Sequence, residues 1–344
     1  MKRATYHTIR LLVMSIMCLS GSYVYAQDMH FSQYYNAPML LNPANTGLMS
    51  EDNYRAGANY RNQWASVPVP YSSFSAYTDY QVLRKDQGNK WFGVGLALFN
   101  DQAGDGSLSL FRAQGSLAFH LQMTQTSMLS AGMYYGYIQR SVNFDNLTFD
   151  AQWDGFTFNK SLANNEKNGV IKTHFNDVGA GVNYALFPNE LVYVKVGVGV
   201  AHVNQPTENF LGGMKNIVGI RPTANVDALL GINKKLTFNP SVYFTSQTGA
   251  LEINYGTLFL MQVAEDDHGV TKLIIGGYNR LNDALIGVIG VDLNGLRVMA
   301  SYDYTISQLA VYNQGNGALE IGIIYQGKYP WREKNQSYMN CPRF

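Results

Sequence analysis

The sequence predicts an all-β fold, an outer-membrane antiparallel β-barrel of about 14 strands with an N-terminal periplasmic or plug segment and a short C-terminal tail. Three observations carry this. Apolar and polar residues alternate with period two along most of the chain. An exported leader precedes a chain that has no internal disulfide. Charged residues are only 14% of the composition, while tyrosine alone supplies 24 positions.

The leader is residues 1–26, MKRATYHTIRLLVMSIMCLSGSYVYA. It has a basic start (Lys2, Arg3, Arg10), an apolar run from Leu11 to Leu19, and small residues before Ala26. This is the pattern of a secretory signal peptide cleaved after Ala26. The run is far shorter than the roughly twenty apolar residues of a membrane helix. Cys18 follows Ser15, Ile16 and Met17 and so lacks the small neighbour expected before a lipidated cysteine. Cleavage leaves Cys341 alone, and an exported chain without disulfides must be stabilised in another way, such as a closed sheet. Removing three basic residues from 25 leaves 22 against 24 acidic ones, a formal net charge of −2. That balance carries no nucleic-acid footprint.

The alternation is clearest in NYRAGANYRNQW. Tyr54, Ala56, Ala58, Tyr60 and Trp64 share one parity, and Asn53, Arg55, Asn59, Arg61 and Gln63 share the other. A strand gives this pattern; a helix would scatter the same residues around its axis. FRAQGSLAFHLQ sets Phe111, Leu117 and Phe119 opposite Arg112, Gln114 and His120. LRVMASYDYTI sets Val298, Tyr302 and Tyr304 opposite Arg297, Ser301 and Asp303. Weaker versions lie near 73–82, 91–99, 128–139, 191–203 and 284–292, separated by breaks such as 85–89, 101–106 and 265–269. A water-soluble β-sandwich would alternate too. The leader, the sustained repetition and apolar faces rich in Tyr, Phe, Leu and Trp favour the barrel, with outer-membrane lipid against those faces. Arg and Gln on the other parity then face the lumen, because a charge facing hydrocarbon costs about 2–4 kcal/mol near the midplane. The division that follows is 27–52 for the opening segment, 53–327 for the barrel with a long loop at 141–172, and 328–344 for the tail. The loop's aromatics among Asp and Asn fit a folded loop or plug, or equally a solvated loop packed on itself.

No catalytic residues, cofactor-binding residues or metal ligands emerge. Of the five histidines left after cleavage, no pair has metal-ligand spacing. No GxSxG elbow occurs, so a membrane-embedded hydrolase has no local signature. The glycine-rich GVGLALF and KVGVGVAHV are strands without the following helix that a phosphate cradle needs. Glu265, Asp266 and Asp267 read as a solvated turn between strands.

The opening stretch DMHFSQYYNAPMLLNPANTG is different in kind. Pro38 blocks a helix, Asn42-Pro43 and Asn45-Thr46-Gly47 set turns, and Phe31, Tyr34, Tyr35, Met39, Leu40 and Leu41 need a surface to pack on. Asp28, Phe31, Ser32, Gln33, Tyr34, Pro38, Asn42, Pro43, Ala44 and Gly47 resemble the amino-terminal signature of the PorP/SprF family of type IX secretion system membrane proteins. That signature reads DPxFSQ(F/Y), then Pro, LNPA and Gly; Met29 stands here in place of its proline. NLTFDAQWDGF, FNDVGAGVNY, SYDYTISQL, ALEIGIIY and NCPRF resemble later family segments in the same order. The resemblance implies a non-enzymatic barrel in the outer membrane of a Bacteroidota-like cell, working with the export and gliding machinery. Its implied partner is either a type IX secreted surface protein, an adhesin-like cargo, or periplasmic ring and peptidoglycan-binding components. The expectation for the opening segment is that it packs into or under the barrel at the periplasmic end, either offering a platform to a partner or only plugging the lumen. The candidate partner-binding residues are Phe31, Gln33, Tyr34, Tyr35, Pro38, Asn42, Pro43, Trp331 and Phe344. A passive outer-membrane pore or solute transporter is the alternative.

Overall fold

Period-two alternation closes into a ring. The structure, a computed structural model, describes residues 31–329 apart from 51, 65–69, 85–87, 165, 167–168, 210–215 and 267–268. The leader, Trp331, Cys341 and Phe344 lie outside the described residues. In chain order the strands are β1 (Tyr54–Gln63), β2 (Tyr71–Val82), β3 (Lys90–Ala103), β4 (Leu108–Thr124), β5 (Ser127–Asn143), β6 (Val170–Asn189) and β7 (Val192–Ala201). A small ribbon of β8 (Thr207–Glu208) and β9 (Asn216–Ile217) stands apart. The second half is β10 (Arg221–Asn233), β11 (Leu236–Gln247), β12 (Ala250–Asp266), β13 (Gly269–Arg280), β14 (Ala284–Leu293), β15 (Leu296–Thr305) and β16 (Asn316–Gly327).

Fourteen of these strands form one closed antiparallel barrel, each beside its neighbour in sequence apart from the ribbon. Closure joins β1 to β16, with Tyr54 opposite Gly327 and Gln63 opposite Ala318. A closed ring leaves no unpaired strand edge, which lipid would punish at several kcal/mol per bare backbone group. No helix among the described residues is long and apolar enough to cross a membrane.

The side-chain parity is the expected one. On β1, Arg55, Asn59 and Arg61 are buried in the lumen while Tyr60 is exposed; on β4, Arg112, Gln114 and His120 point in and Leu117 and Phe119 out. Outward tyrosines cluster at two levels. Tyr54 sits 6.4 Å from Tyr80 and 6.0 Å from Tyr325 near one end, and Tyr60 stands opposite Phe74 toward the other. Aliphatic side chains such as Leu96, Leu98, Ile321 and Ile323 fill the band between them. This is the girdled apolar belt of a membrane barrel.

Several strands are longer than the roughly ten residues that cross the belt. β6 has 20 residues, and its outward face changes from Leu186, Tyr184 and Val182 to Asn176, His174 and Lys172. Ser141, Val142 and Asn143 pair with Lys172, Ile171 and Val170, so the loop expected at 141–172 spans 144–169. Likewise Glu265 and Asp266 belong to β12, paired with Val270 and Gly269, and the turn is narrower than the acidic run suggests. In both places the ladder continues past the lipid, where polar side chains cost nothing. The three longest connections, 144–169, 202–220 and 306–315, share one end of the barrel with the shorter 104–107, 248–249 and 281–283, while at the other end no connection between consecutive barrel strands exceeds seven residues. Both ends of the barrel chain, Tyr54 and Gly327, lie at the short-turn end.

Candidate functional site

The lumen is occupied by residues 31–50. The proline-broken sequence forms three single turns, Tyr34–Asn36, Pro38–Leu41 and Pro43–Asn45, none long enough to be stable alone. Pro38 and Pro43 each open a turn, where a missing N–H costs nothing, and the Asn42 side chain caps the third by accepting from Ala44 N at 2.9 Å.

At its start the segment meets a buried ionic cluster. The Ser32 and Gln33 amides donate to the two oxygens of Glu320 at 2.8 and 3.1 Å, and Ser32 Oγ donates to Asp303 Oδ2 at 2.7 Å. Arg61 and Arg280 place Nη2 atoms 2.9 and 2.8 Å from that same Asp303 oxygen, and Arg61 Nη1 lies 3.3 Å from Glu320 Oε2 and bonds Ser32 Oγ. Gln33 Nε2 donates to Ser301 Oγ at 3.0 Å and to Glu320 O at 3.1 Å. Arg280 Nε also donates to the more exposed Asp283 at 2.6 Å, so every buried charge of the cluster has an opposite partner, which buried ions require.

The middle of the segment supplies the apolar fit. Phe31 packs edge-on against Phe99 at 5.7 Å, Tyr34 stacks on Tyr243 at 5.2 Å and Tyr35 on Tyr278 at 5.5 Å. The Tyr34 and Ser241 hydroxyls are 2.7 Å apart. Asn42 Nδ2 donates to Asn183 Oδ1 at 3.0 Å and to Val198 O at 3.1 Å, and Asn183 in turn donates to Asn45 Oδ1 at 2.9 Å.

The end of the segment is held by a second ion pair. Arg55 forks onto Asp79 at 3.1 and 2.8 Å and donates to Asn45 O at 3.1 Å, while Gly47 N donates to Asp79 at 2.7 Å. Trp91 Nε1 donates to Gly47 O at 3.0 Å. His120 Nε2 donates to Thr46 O at 2.8 Å, which leaves Nδ1 to accept from Ser130 Oγ at 2.8 Å. Wall glycines make the approach possible. A Cβ on Gly93 would lie 1.9 Å from Thr46 O, and one on Gly132 2.5 Å from Pro43 O.

These contacts place the segment more deeply than a closure at the short-turn end. Ser32 and Phe31 meet residues in the long-loop half, and Met49 meets Gln81 near the short-turn end, so the chain descends through the lumen. The reason is electrostatic: the paired charges that receive Ser32 and Gln33 lie on the far half of β1, β15 and β16. Of the candidate residues, Phe31, Gln33, Tyr34, Pro38, Asn42 and Pro43 are buried and Tyr35 half-buried. As packed they face the wall and present no platform. Sequence reasoning missed Asp79, Asp303, Glu320, Arg280 and Asn183. The available signal was a set of charges of both signs on inward parity, which only mutual pairing can sustain.

The match to known families decides the identity. Residues 23–325 match the family described as Type IX secretion system membrane protein PorP/SprF. The chain belongs to the PorP/SprF family. The signature-like residues from Phe31 to Gly47 lie in the segment that fills the lumen. No curated protein matches the chain. Among solved structures it is similar to the Ralstonia pickettii toluene transporter TbuX at 13% identity, covering 86% of this chain and 94% of that one with a TM-score of 0.53. It is also similar to the Pseudomonas putida toluene transporter TodX at 10% identity and TM-score 0.51, covering 86% and 94%. A Pseudomonas aeruginosa FadL homologue matches at 10% identity and TM-score 0.50, covering 90% and 96%. At such identity the likeness is one of fold, an outer-membrane barrel.

Among the described residues no three His, Cys, Asp or Glu side chains are grouped to hold a metal. His120 and His202 are each engaged, the second through Nδ1 at 2.9 Å from Asp177.

Proposed function

We propose that this PorP/SprF protein is a non-enzymatic outer-membrane barrel of the type IX secretion machinery, sealed by its own N-terminal segment, that holds a partner protein at the membrane. The partner is a type IX secreted surface protein or a periplasmic ring or peptidoglycan-binding component. One observation carries the reading: residues 31–50 are anchored to strands all round the lumen, from β1 and β2 through β6, β11 and β13 to β15 and β16. The cavity beside the segment, lined by Phe31, Tyr34, Leu41, Arg112, Arg221 and Tyr243, is about 30 Å³, room for a water or two. Beside the segment there is no room for a solute, and the polar cavity of about 530 Å³ between Ser50, Asp52, Lys272, Asp292, Arg297 and Gln326 lies at the short-turn end; the anchoring of the segment across the lumen therefore favours a scaffold over a transporter. TbuX and TodX are called toluene transporters, and at their identity that activity is not carried over.

The test is detergent extraction of the tagged chain from its native membrane, with mass spectrometry of what co-purifies, for the intact chain and for one lacking Asp28–Gly47. A large surface protein or ring component retained by the intact chain supports the reading. Loss on deletion would assign the segment a role in holding the partner; equal retention would assign it plugging alone. Recovery of nothing from the intact chain would bring forward the passive pore.

A further inference from the structure

The long-loop end carries two raised apolar tips. In the loop 144–169, Trp153 and Phe158 form an antiparallel bridge, with rings 5.0 Å apart and edge-on. Between them Asp154 Oδ1 accepts from the Phe156 and Thr157 amides, each at 2.9 Å, and Asp154 N donates to Thr157 O at 3.1 Å. These amides hold the Asp154 carboxyl below its ordinary range. Gly155 supplies φ of +102° at the turn. Below, buried Gln152 accepts from Phe149 N at 3.1 Å and donates to Leu162 O at 3.2 Å, tying the base together. The hairpin is therefore fixed by its own bonds, and it holds up Phe156, whose 93% exposure is the largest of any big apolar side chain among the described residues.

The second tip is the turn Ala310–Asn313 between β15 and β16. Asn313 is buried, donating to Thr305 Oγ1 at 3.2 Å and accepting from Gly315 N at 3.0 Å, while Val311 and Tyr312 are 82% and 85% exposed. Four strands separate the two hairpins around one side of the ring and six around the other, so they face each other across the mouth. Around the first tip Asp145, Asp150, Asp154 and Glu166 are exposed, with Asp105 on the neighbouring β3–β4 turn, five acidic groups against Lys160 and Lys172 among the described residues.

Resting on the reading that the barrel holds a protein, we infer that these tips are a two-point docking surface over the long-loop mouth, for a protein partner that presents apolar pockets within a basic rim. Rigid exposed aromatics lose little conformational freedom on burial, which is why such side chains anchor interfaces. The acidic surround selects the partner's charge. It repels an anionic lipid surface, and it repels a second copy of this chain face to face, since that copy carries the same rim.

The experiment places the photo-crosslinking residue benzoylphenylalanine at position 156, at 312 and, as a lipid-facing control, at 96, in the full chain in its native membrane. The expected result is one protein joined from both 156 and 312 and not from 96, through contact peptides of net basic charge. The yield from 312 falls roughly tenfold or more with Phe156→Ser, or with Asp145→Lys and Asp150→Lys together. Band shifts on unheated gels confirm that each variant is a folded barrel. Products with lipid alone, two unrelated proteins, an acidic contact peptide, no product, or a 312 yield indifferent to Phe156→Ser would each overturn the inference. Co-purification separates the two readings. A partner retained at the wild-type level by Phe156→Ser with Tyr312→Ser removes this surface and leaves the scaffold standing, whereas a wild-type chain that retains nothing removes both.

Discussion

Arg61 shows what a charge needs in order to sit inside a barrel wall. Its side chain is 2% exposed, and it is held by Asp303, Glu320 and the Ser32 hydroxyl. Arg61→Met leaves Glu320 without its cation and Asp303 with Arg280 alone, and the expected cost is about 3–5 kcal/mol. Arg61→Met with Glu320→Gln should recover part of that loss, because one orphaned charge goes too. Urea midpoints of the folded barrel in lipid vesicles check both, and a single variant as stable as wild type would refute the ion-pair account. Gly93 tests the fit rather than the charge. Thr46 O occupies the space of its absent Cβ, so Gly93→Val must push the segment aside. Chymotrypsin should then cut at Tyr34 and Tyr35 in the folded protein, whereas Gly287→Ala, whose Cβ meets nothing within 4 Å, should leave both protected. Neither site was legible from the sequence. Ser32 meets Glu320 across 288 positions, and no local period reports a contact that distant. What the sequence did carry was the motif itself, whose Ser32, Gln33, Asn42 and Gly47 turn out to be the residues that meet the wall.

At the scale of the strand, alternation was readable because each side chain answers to one of two solvents. β1, β4 and β15 show their two faces in sequence as they do in the barrel. Strand ends were less readable. β5 and β6 continue past the lipid, where polar residues look like loop, so 141–143 and 170–172 read as irregular although they pair. The same boundary makes a prediction. Ile323 lies within the aliphatic belt, opposite Ala58, while His174 lies above it on β6. Ile323→Arg should cost about 2–4 kcal/mol and His174→Arg about 0–1, measured by reversible unfolding into vesicles. Equal costs would mean that the belt has been placed at the wrong level.

For the whole molecule, fourteen paired strands account for the barrel without help from the segment, since every ladder runs from strand to strand and β16 returns to β1. The segment instead decides whether the lumen is open. Whether residues 31–50 close it is read by planar-bilayer recording of the mature chain beside one lacking residues 31–50, with both first shown to be folded barrels by their unheated gel mobility. Silence is expected from the intact chain and steady conductance steps from the shortened one. Steady conductance from the intact chain at the level of the shortened one would contradict closure by the segment.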